Sequence, residues 1–259
     1  MSSEKITLMR SRRSFLGASK LLLGAGVSLA LARRSAAVPC ATALCTISCF
    51  LPGTKIQTTN SEICIEELRI GDRVLTVLGE AKQIKFVGRK EVWRQRSEPW
   101  AGQGPVKISR FAIDGKAPHS DLYVSPWHAI YIDGFLIPVM YLVNGITIVA
   151  DAKPEALSLT YFHIELDTHE AILAEGLAVE SFLRNDNLHA FDNADECVRL
   201  YGSPREPLTP FVPIVSYHGR RQELASHIRS ALAPICDFRK PIDKVRDRIL
   251  DRLEFARAA

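Results

Sequence analysis

Between Cys49 and Phe182 the chain is divided into short apolar runs by turn-forming residues, and that rhythm commits it to β structure. Gly53-Thr54-Lys55-Ile56-Gln57-Thr58 alternates in polarity, and Ile63-Cys64-Ile65-Glu66-Glu67-Leu68 follows the polar turn Thr59-Asn60-Ser61. Gly71-Asp72 leads into Arg73 to Leu78, and Gly79-Glu80 into Gln83 to Val87. Tyr123-Val124, Ala129 to Ile132, Phe135 to Ile137 and Ile146 to Val149 continue the pattern, with Asp133-Gly134 and Asn144-Gly145 reading as hairpin turns. The spacing predicts an all-β body. Pro138 to Val143 reads as a helical turn or a further strand, and Arg94 to Pro118, rich in Gly, Pro and Ser, as a long loop.

The flanks differ from this body. Residues 1–43 read as an export signal: Ser11-Arg12-Arg13-Ser14-Phe15-Leu16 matches the twin-arginine pattern, and the apolar run Leu21 to Ala32 follows. Cleavage is expected after Ala37 or Ala43. An uncleaved anchor is the alternative, although Phe15 to Ala32 is barely long enough to span a bilayer and Lys20 interrupts it. The expected location is the periplasm or beyond, with a membrane anchor if the signal stays. Disulfides persist there. Of the six cysteines, Cys40 and Cys45 lie in or beside the signal, Cys197 and Cys236 could staple the tail, and Cys64 reads as a small buried residue.

Residues 183–259 read as a Pro-rich linker (Pro204, Pro207, Pro210, Pro213) and a basic helical tail. Leu224, Ile228 and Leu232, then Val245, Ile249, Leu250 and Leu253, fall on one side of two helical patterns, with basic residues opposite. The expectation is an apolar stripe packed on the body, contact with an anionic membrane or a partner being the alternative. The net charge of +4 is carried mainly at the two ends, and the middle has no basic stripe with interleaved aromatics. Nucleic acid is therefore not expected as a partner.

Cys49 opens the body. A thiol at that place can attack the carbonyl on its own N-terminal side, so the Ser48–Cys49 bond would be the substrate. The sulfur must ionise or nearly so, the amide nitrogen must gain a proton, and the developing oxyanion needs a donor. Imidazole suits the proton transfer near neutral pH. Ser125-Pro126-Trp127-His128 supplies a hydroxyl and an imidazole. The product would be a thioester on Cys49, released by water or a small thiol.

Three blocks resemble the Hint domain shared by inteins and Hedgehog C-terminal regions. Cys49-Phe50-Leu51-Pro52-Gly53-Thr54 with Ile65 to Val74 is the first. Ser125-Pro126-Trp127-His128, with serine for the family's threonine, is the second. Phe162 to Ser181, centred on His169, is the third. The resemblance implies the horseshoe-like Hint β-fold over residues 49–182, followed by the helical extension. It implies that His128 protonates the scissile nitrogen and that Ser125 polarises the bond. It also makes His163, in place of the family's aspartate, and His169 catalytic candidates. The variant resembles bacterial Hint domains ending Val-Glu-Ser-Phe. Where a splicing intein ends His-Asn, this chain has Glu180 and Ser181. Serine cannot cyclise as asparagine does, so autoprocessing at Ser48–Cys49 is expected and full splicing is not.

The competing reading is a non-catalytic β-module used for binding or envelope structure, with Cys49 a buried thiol or paired with Cys45 and the histidines satisfied in the core. His119, His128, His163 and His169 lack short metal-ligand spacing, and neither metal nor cofactor is expected. Glu165 and Asp167 read as a solvated pair on one side of a strand. The expected partners are the chain's own N-terminal segment as substrate and water or a thiol as nucleophile. Membrane contact is expected only through the signal or the basic tail.

Overall fold

The computed structural model describes residues 48–94, 100, 103–153, 155–185, 187–215 and 220–258. The segment read as an export signal, its expected cleavage positions, Cys40, Cys45 and any Cys45–Cys49 pairing lie outside the described residues. In chain order the strands are β1 (Lys55–Gln57), β2 (Glu62–Cys64), β3 (Arg73–Leu75), β4 (Ala81–Gln83), β5 (Phe86–Trp93), β6 (Val106–Ile108) and β7 (Leu122–Val124). Then come β8 (Ala129–Ile132), β9 (Phe135–Pro138), β10 (Ile148–Val149), β11 (Ser158–Glu165), β12 (Ala171–Ala174) and β13 (Leu177–Glu180). Three helices follow: α1 (Ala194–Tyr201), α2 (Arg220–Leu232) and α3 (Pro241–Ala258).

The expected all-β body is present. A six-stranded sheet runs β2-β1-β12-β13-β8-β9, a three-stranded sheet β10-β6-β7, and β11-β5 and β3-β4 form two ribbons. Two tight turns set the registers of the large sheet. Asp133 and Gly134 (φ 52° and 83°) join β8 to β9, and Glu175 and Gly176 (φ 48° and 75°) join β12 to β13. Successive positive φ values twist a two-residue turn to match the strands it connects, which is why Gly occupies the second place. Ile56, Ile65, Val74, Ile84, Val124, Ile130, Ile137, Ile148, Ile164, Ile172 and Val179 are buried together between these layers. Val139–Leu142 is a 3₁₀ turn, and the long loop contains β6, which its Gly and Pro content concealed.

The chain enters the body as an extended residue inserted between two sheets. Phe50 exchanges hydrogen bonds with Phe162 of β11 (2.8 and 2.9 Å) and bridges to Val124 of β7. It leaves beside the same strand: the Phe182 N–H donates to the Ile164 carbonyl at 2.7 Å.

The C-terminal region departs from expectation in four ways. Residues read as linker include α1, whose Cys197 is buried. The Pro-rich segment is docked: the Leu136 N–H donates to the Pro213 carbonyl at 3.0 Å and the Val215 N–H to the Leu136 carbonyl at 2.8 Å. The α3 stripe packs in part: Val245 and Ile249, together with Ile242, lie against the main core, whereas Leu250 is exposed and the Leu253 side chain lies outside the described residues. The α2 stripe does not: Leu224 is 62% exposed, and Ile228 and Leu232 are also exposed. The face of α2 that meets α3 is polar instead. Ser226 donates to Asp243, and the Arg229 Nε donates to the same carboxylate at 2.6 Å. Finally, Cys197 and Cys236 are unbridged, the first buried with its Sγ 3.1 Å from the Arg205 Nη1, the second exposed beyond α2. Among the described residues no helix is long and apolar enough to cross a membrane.

Candidate active site

β7 ends at Val124, and the turn that follows carries Ser125 and His128 to the start of the body. The His128 N–H closes this turn on the Ser125 carbonyl (3.1 Å), while Val139 and Met140 donate to the carbonyls of His128 and Pro126 (2.9 and 3.0 Å). The hydroxyl and the imidazole are thus fixed on a short, doubly tethered loop.

That loop clasps Cys49. The Cys49 N–H, which is the nitrogen of the Ser48–Cys49 bond, donates to the Ser125 Oγ at 2.8 Å. In return the Ser125 N–H donates to the Cys49 carbonyl at 2.8 Å. The Ser48 Oγ donates to the Trp127 carbonyl at 3.3 Å. The residues on both sides of the bond are therefore held by one four-residue turn. The thiol is buried, 1% exposed, in an apolar cluster with Trp100, Tyr161 and Phe182. Burial, and secondarily the Glu180 carboxylate, push its pKa well above the ordinary thiol value.

His128 is fully buried, its ring centroid 4.2 Å from Phe50 and 5.1 Å from His163. Burial outweighs the opposing influence of the Glu180 carboxylate and of the Cys49 and Glu180 backbones, and lowers its pKa to about 4. The ring is thus neutral at pH 7. His163 projects from β11, where it pairs with Gly88, into the same pocket of rings, 5.9 Å from Phe50 and 5.5 Å from Phe182. Burial, then His128 and His169, hold it well below the usual imidazole value. Among the described residues neither nitrogen of His163 has a hydrogen-bond partner, whereas the His128 ring lies within reach of the Cys49 and Glu180 backbones.

His169 is oriented from outside the body. The Phe211 N–H donates to its Nδ1 at 2.9 Å, which puts the proton of the neutral ring on Nε2. That Nε2 lies 3.8 Å from the Glu180 Oε2. The Glu180 Oε1 accepts from the Ala129 N–H at 2.7 Å. Glu180, which in the sequence stands out only as a departure from the intein ending, thus lies among the candidate site residues. The available signal was a carboxylate closing the otherwise apolar Leu177-Ala178-Val179 run, a position that strand pairing buries. Ser181, next in the chain, is buried, its Oγ accepting from the Glu170 N–H at 2.9 Å.

Cys49, Ser125, His128 and His163 therefore come together, and His169 joins them through Glu180. His119 does not; its Nε2 is 2.7 Å from Glu62. No group of three or more His, Cys, Asp or Glu among the described residues has metal-binding geometry. The reading of Glu165 and Asp167 as a solvated pair is corrected. Asp167 is exposed, but Glu165 is buried against the guanidinium groups of Arg184 and Arg205, which fold back from beyond β13 and neutralise it.

Chemically, the arrangement offers a sulfur adjacent to a restrained amide, a hydroxyl oxygen on the amide N–H, and a neutral imidazole able first to accept a proton and then to return it. Solved structures similar to this chain include three inteins or intein-like domains. The MchDnaB-1 intein is 10% identical with a TM-score of 0.36, over 51% of this chain and 99% of that one. A DnaB intein from Synechocystis sp. PCC 6803 is 12% identical with a TM-score of 0.35, over 53% of this chain and all of that one. A bacterial intein-like domain from Clostridium thermocellum is 12% identical with a TM-score of 0.31, over 53% of this chain and all of that one. No curated protein matches the sequence. The sequence profile of the Hint domain matches residues 48–186, more than half of the chain, and the protein belongs to the Hint domain family.

Proposed function

We propose that this is an exported bacterial Hint protein that cleaves its own chain between Ser48 and Cys49. The observation that carries the reading is the reciprocal pair of 2.8 Å hydrogen bonds between Cys49 and Ser125, with His128 buried beside them. In this reading the Cys49 sulfur attacks the Ser48 carbonyl carbon, the C–N bond breaks, and the former amide nitrogen receives the proton. A thioester then links Ser48 to the Cys49 sulfur, and water or a small thiol releases the upstream peptide. Ser125 holds the amide N–H in the ground state, His128 moves the proton, and His163 lines the pocket beside it. Splicing does not follow, because Ser181 has no side-chain amide to cyclise. The twin-arginine pattern assigns the protein to the periplasm or beyond, the substrate is its own N-terminal segment, and nucleic acid is not a partner.

The test is a fusion. A small tag domain is placed directly upstream of Thr46, the protein is expressed in the cytoplasm without its signal, and intact masses are recorded with and without thiol. The expected result is a thiol-accelerated cut after Ser48, abolished by Cys49→Ala. His128→Ala is expected to slow it by about 10²–10⁴-fold, the usual contribution of general acid–base catalysis. One observation favours a second reading, a non-catalytic β-module: the Cys49 thiol is buried and its ionisation is suppressed. A folded fusion that stays intact under all conditions would establish that reading instead.

A further inference from the structure

Glu180 stands at the meeting of β13 and β8. Val179 pairs with Ile130 across these strands, so the next residue along β13 comes to the entrance of β8, immediately after His128. There its Oε1 accepts the Ala129 N–H at 2.7 Å, and its Oε2 lies 3.8 Å from the His169 Nε2. The side chain is only 6% exposed. A buried carboxylate is costly unless it is paired or used. Here one oxygen is held by the amide adjacent to a candidate proton carrier, and the other faces a histidine whose tautomer is set by Phe211.

We propose that Glu180 is a positioning residue for the acyl shift, the fixed counter-charge for the imidazolium formed when His128 carries the Cys49 thiol proton to the Cys49 nitrogen. The inference rests on the self-cleavage reading above. The step balances internally. The S–H proton passes to His128, the C–S bond forms at Ser48, the C–N bond breaks, and the same proton goes from His128 to the leaving nitrogen. Thiol and amide become thioester and amine, with no external oxidant, reductant or proton.

The need for a counter-charge follows from the surroundings. His128 is faced by Phe50, His163 and His169, none of which offers a negative charge, and by the backbone of Cys49. Glu180 supplies the opposing charge and favours the protonated ring, although burial still wins and holds the ring near 4. The groups facing Glu180 itself are His128, His169, the Ala129 amide and the Cys49 thiol. The same carboxylate disfavours the Cys49 thiolate. Its two influences on the reaction are therefore opposite in sign, and the sign of a charge-removing substitution identifies the one that governs.

Glu180→Gln removes the charge while its amide oxygen can still accept the Ala129 N–H. The first measurement is the imidazolium fraction of His128 at about pH 4.5, read by NMR in the full-length, uncleavable Cys49→Ala protein. With the charge removed, that fraction is expected to fall about tenfold, as a change of 1.36 kcal/mol in protonation free energy would produce. The second is thiol-induced cleavage of the tag fusion, expected to slow at least tenfold with Gln and to recover in part with Glu180→Asp. Asp is also the control should the Gln variant fold poorly, because it keeps the charge and shifts its position. An unchanged imidazolium fraction, or faster cleavage with Gln, overturns the proposal and makes Glu180 a restraint on the thiol. A wild-type fusion that is never cut overturns the acyl shift and the role given to Glu180 with it. The titration needs no cleavage and still reports whether the charge coupling exists, so the two failures remain distinguishable.

Discussion

His128 and His163 face each other across 5.1 Å with their ring nitrogens sealed from water, and both are held neutral by burial. An unfolded chain binds a proton at each ring as pH falls through about 6.5, whereas folded His128 does so only near 4. The contribution of these rings to stability is therefore complete above about 6.5 and is lost as pH falls toward 4. His128 alone accounts for a loss of about 3 kcal/mol over that window, and His163 adds in the same direction. Urea denaturation at a series of pH values should show this decline, flattened in His128→Phe. Glu165 makes a separate case: Glu165→Ala leaves Arg184 and Arg205 facing an empty buried site, and about 3–5 kcal/mol of stability should be lost. Urea denaturation at neutral pH measures it. Cys49, Ser125 and His128 were legible in the sequence because their types are diagnostic and their block order is recognisable. Glu165 and Glu180 were not, because local pattern gives a carboxylate's place on a strand but not whether distant residues bury it. The Ala129–Glu180 bond spans 51 positions, and the arginines that neutralise Glu165 come from beyond β13.

Among the elements, the hairpins of the large sheet were the most readable, since Asp133-Gly134 announces its own geometry. The helical region was half readable. Periodicity located the stripes of α2 and α3 but could not say which would find a partner, and the Ser226–Arg229–Asp243 clamp turned the α2 stripe outward. α1 is only eight residues long and has no side-chain cap at its start, so it was absorbed into the linker despite its amphipathic period. Its approach to β5 depends on Gly88. A Cβ at that position would meet the Phe191 ring at 2.7–2.8 Å. Gly88→Ala should therefore displace Phe191 and cost about 1–3 kcal/mol, the usual range for overpacking. Hydrogen exchange should show the segment from Leu188 to Tyr201 opening first, with the large sheet still protected.

For the molecule as a whole, the C-terminal extension is part of the folded body. Ile242, Val245 and Ile249 are buried in its core, and each contributes about 1.5–3 kcal/mol. Their sum is a large fraction of the 5–15 kcal/mol that holds an ordinary domain together. A chain ending at Gly202 should therefore unfold at much lower urea concentration than the full protein. The docked Pro213–Val215 segment adds a consequence of another kind. β9 is the last strand of the large sheet, and Leu136 is the residue whose N–H and carbonyl that segment engages. Uncovered, this margin would offer unpaired backbone to any other chain in solution. The truncated protein should consequently self-associate in light scattering as its concentration rises while the full chain stays monodisperse, so the proline-rich strap also keeps copies of the protein apart.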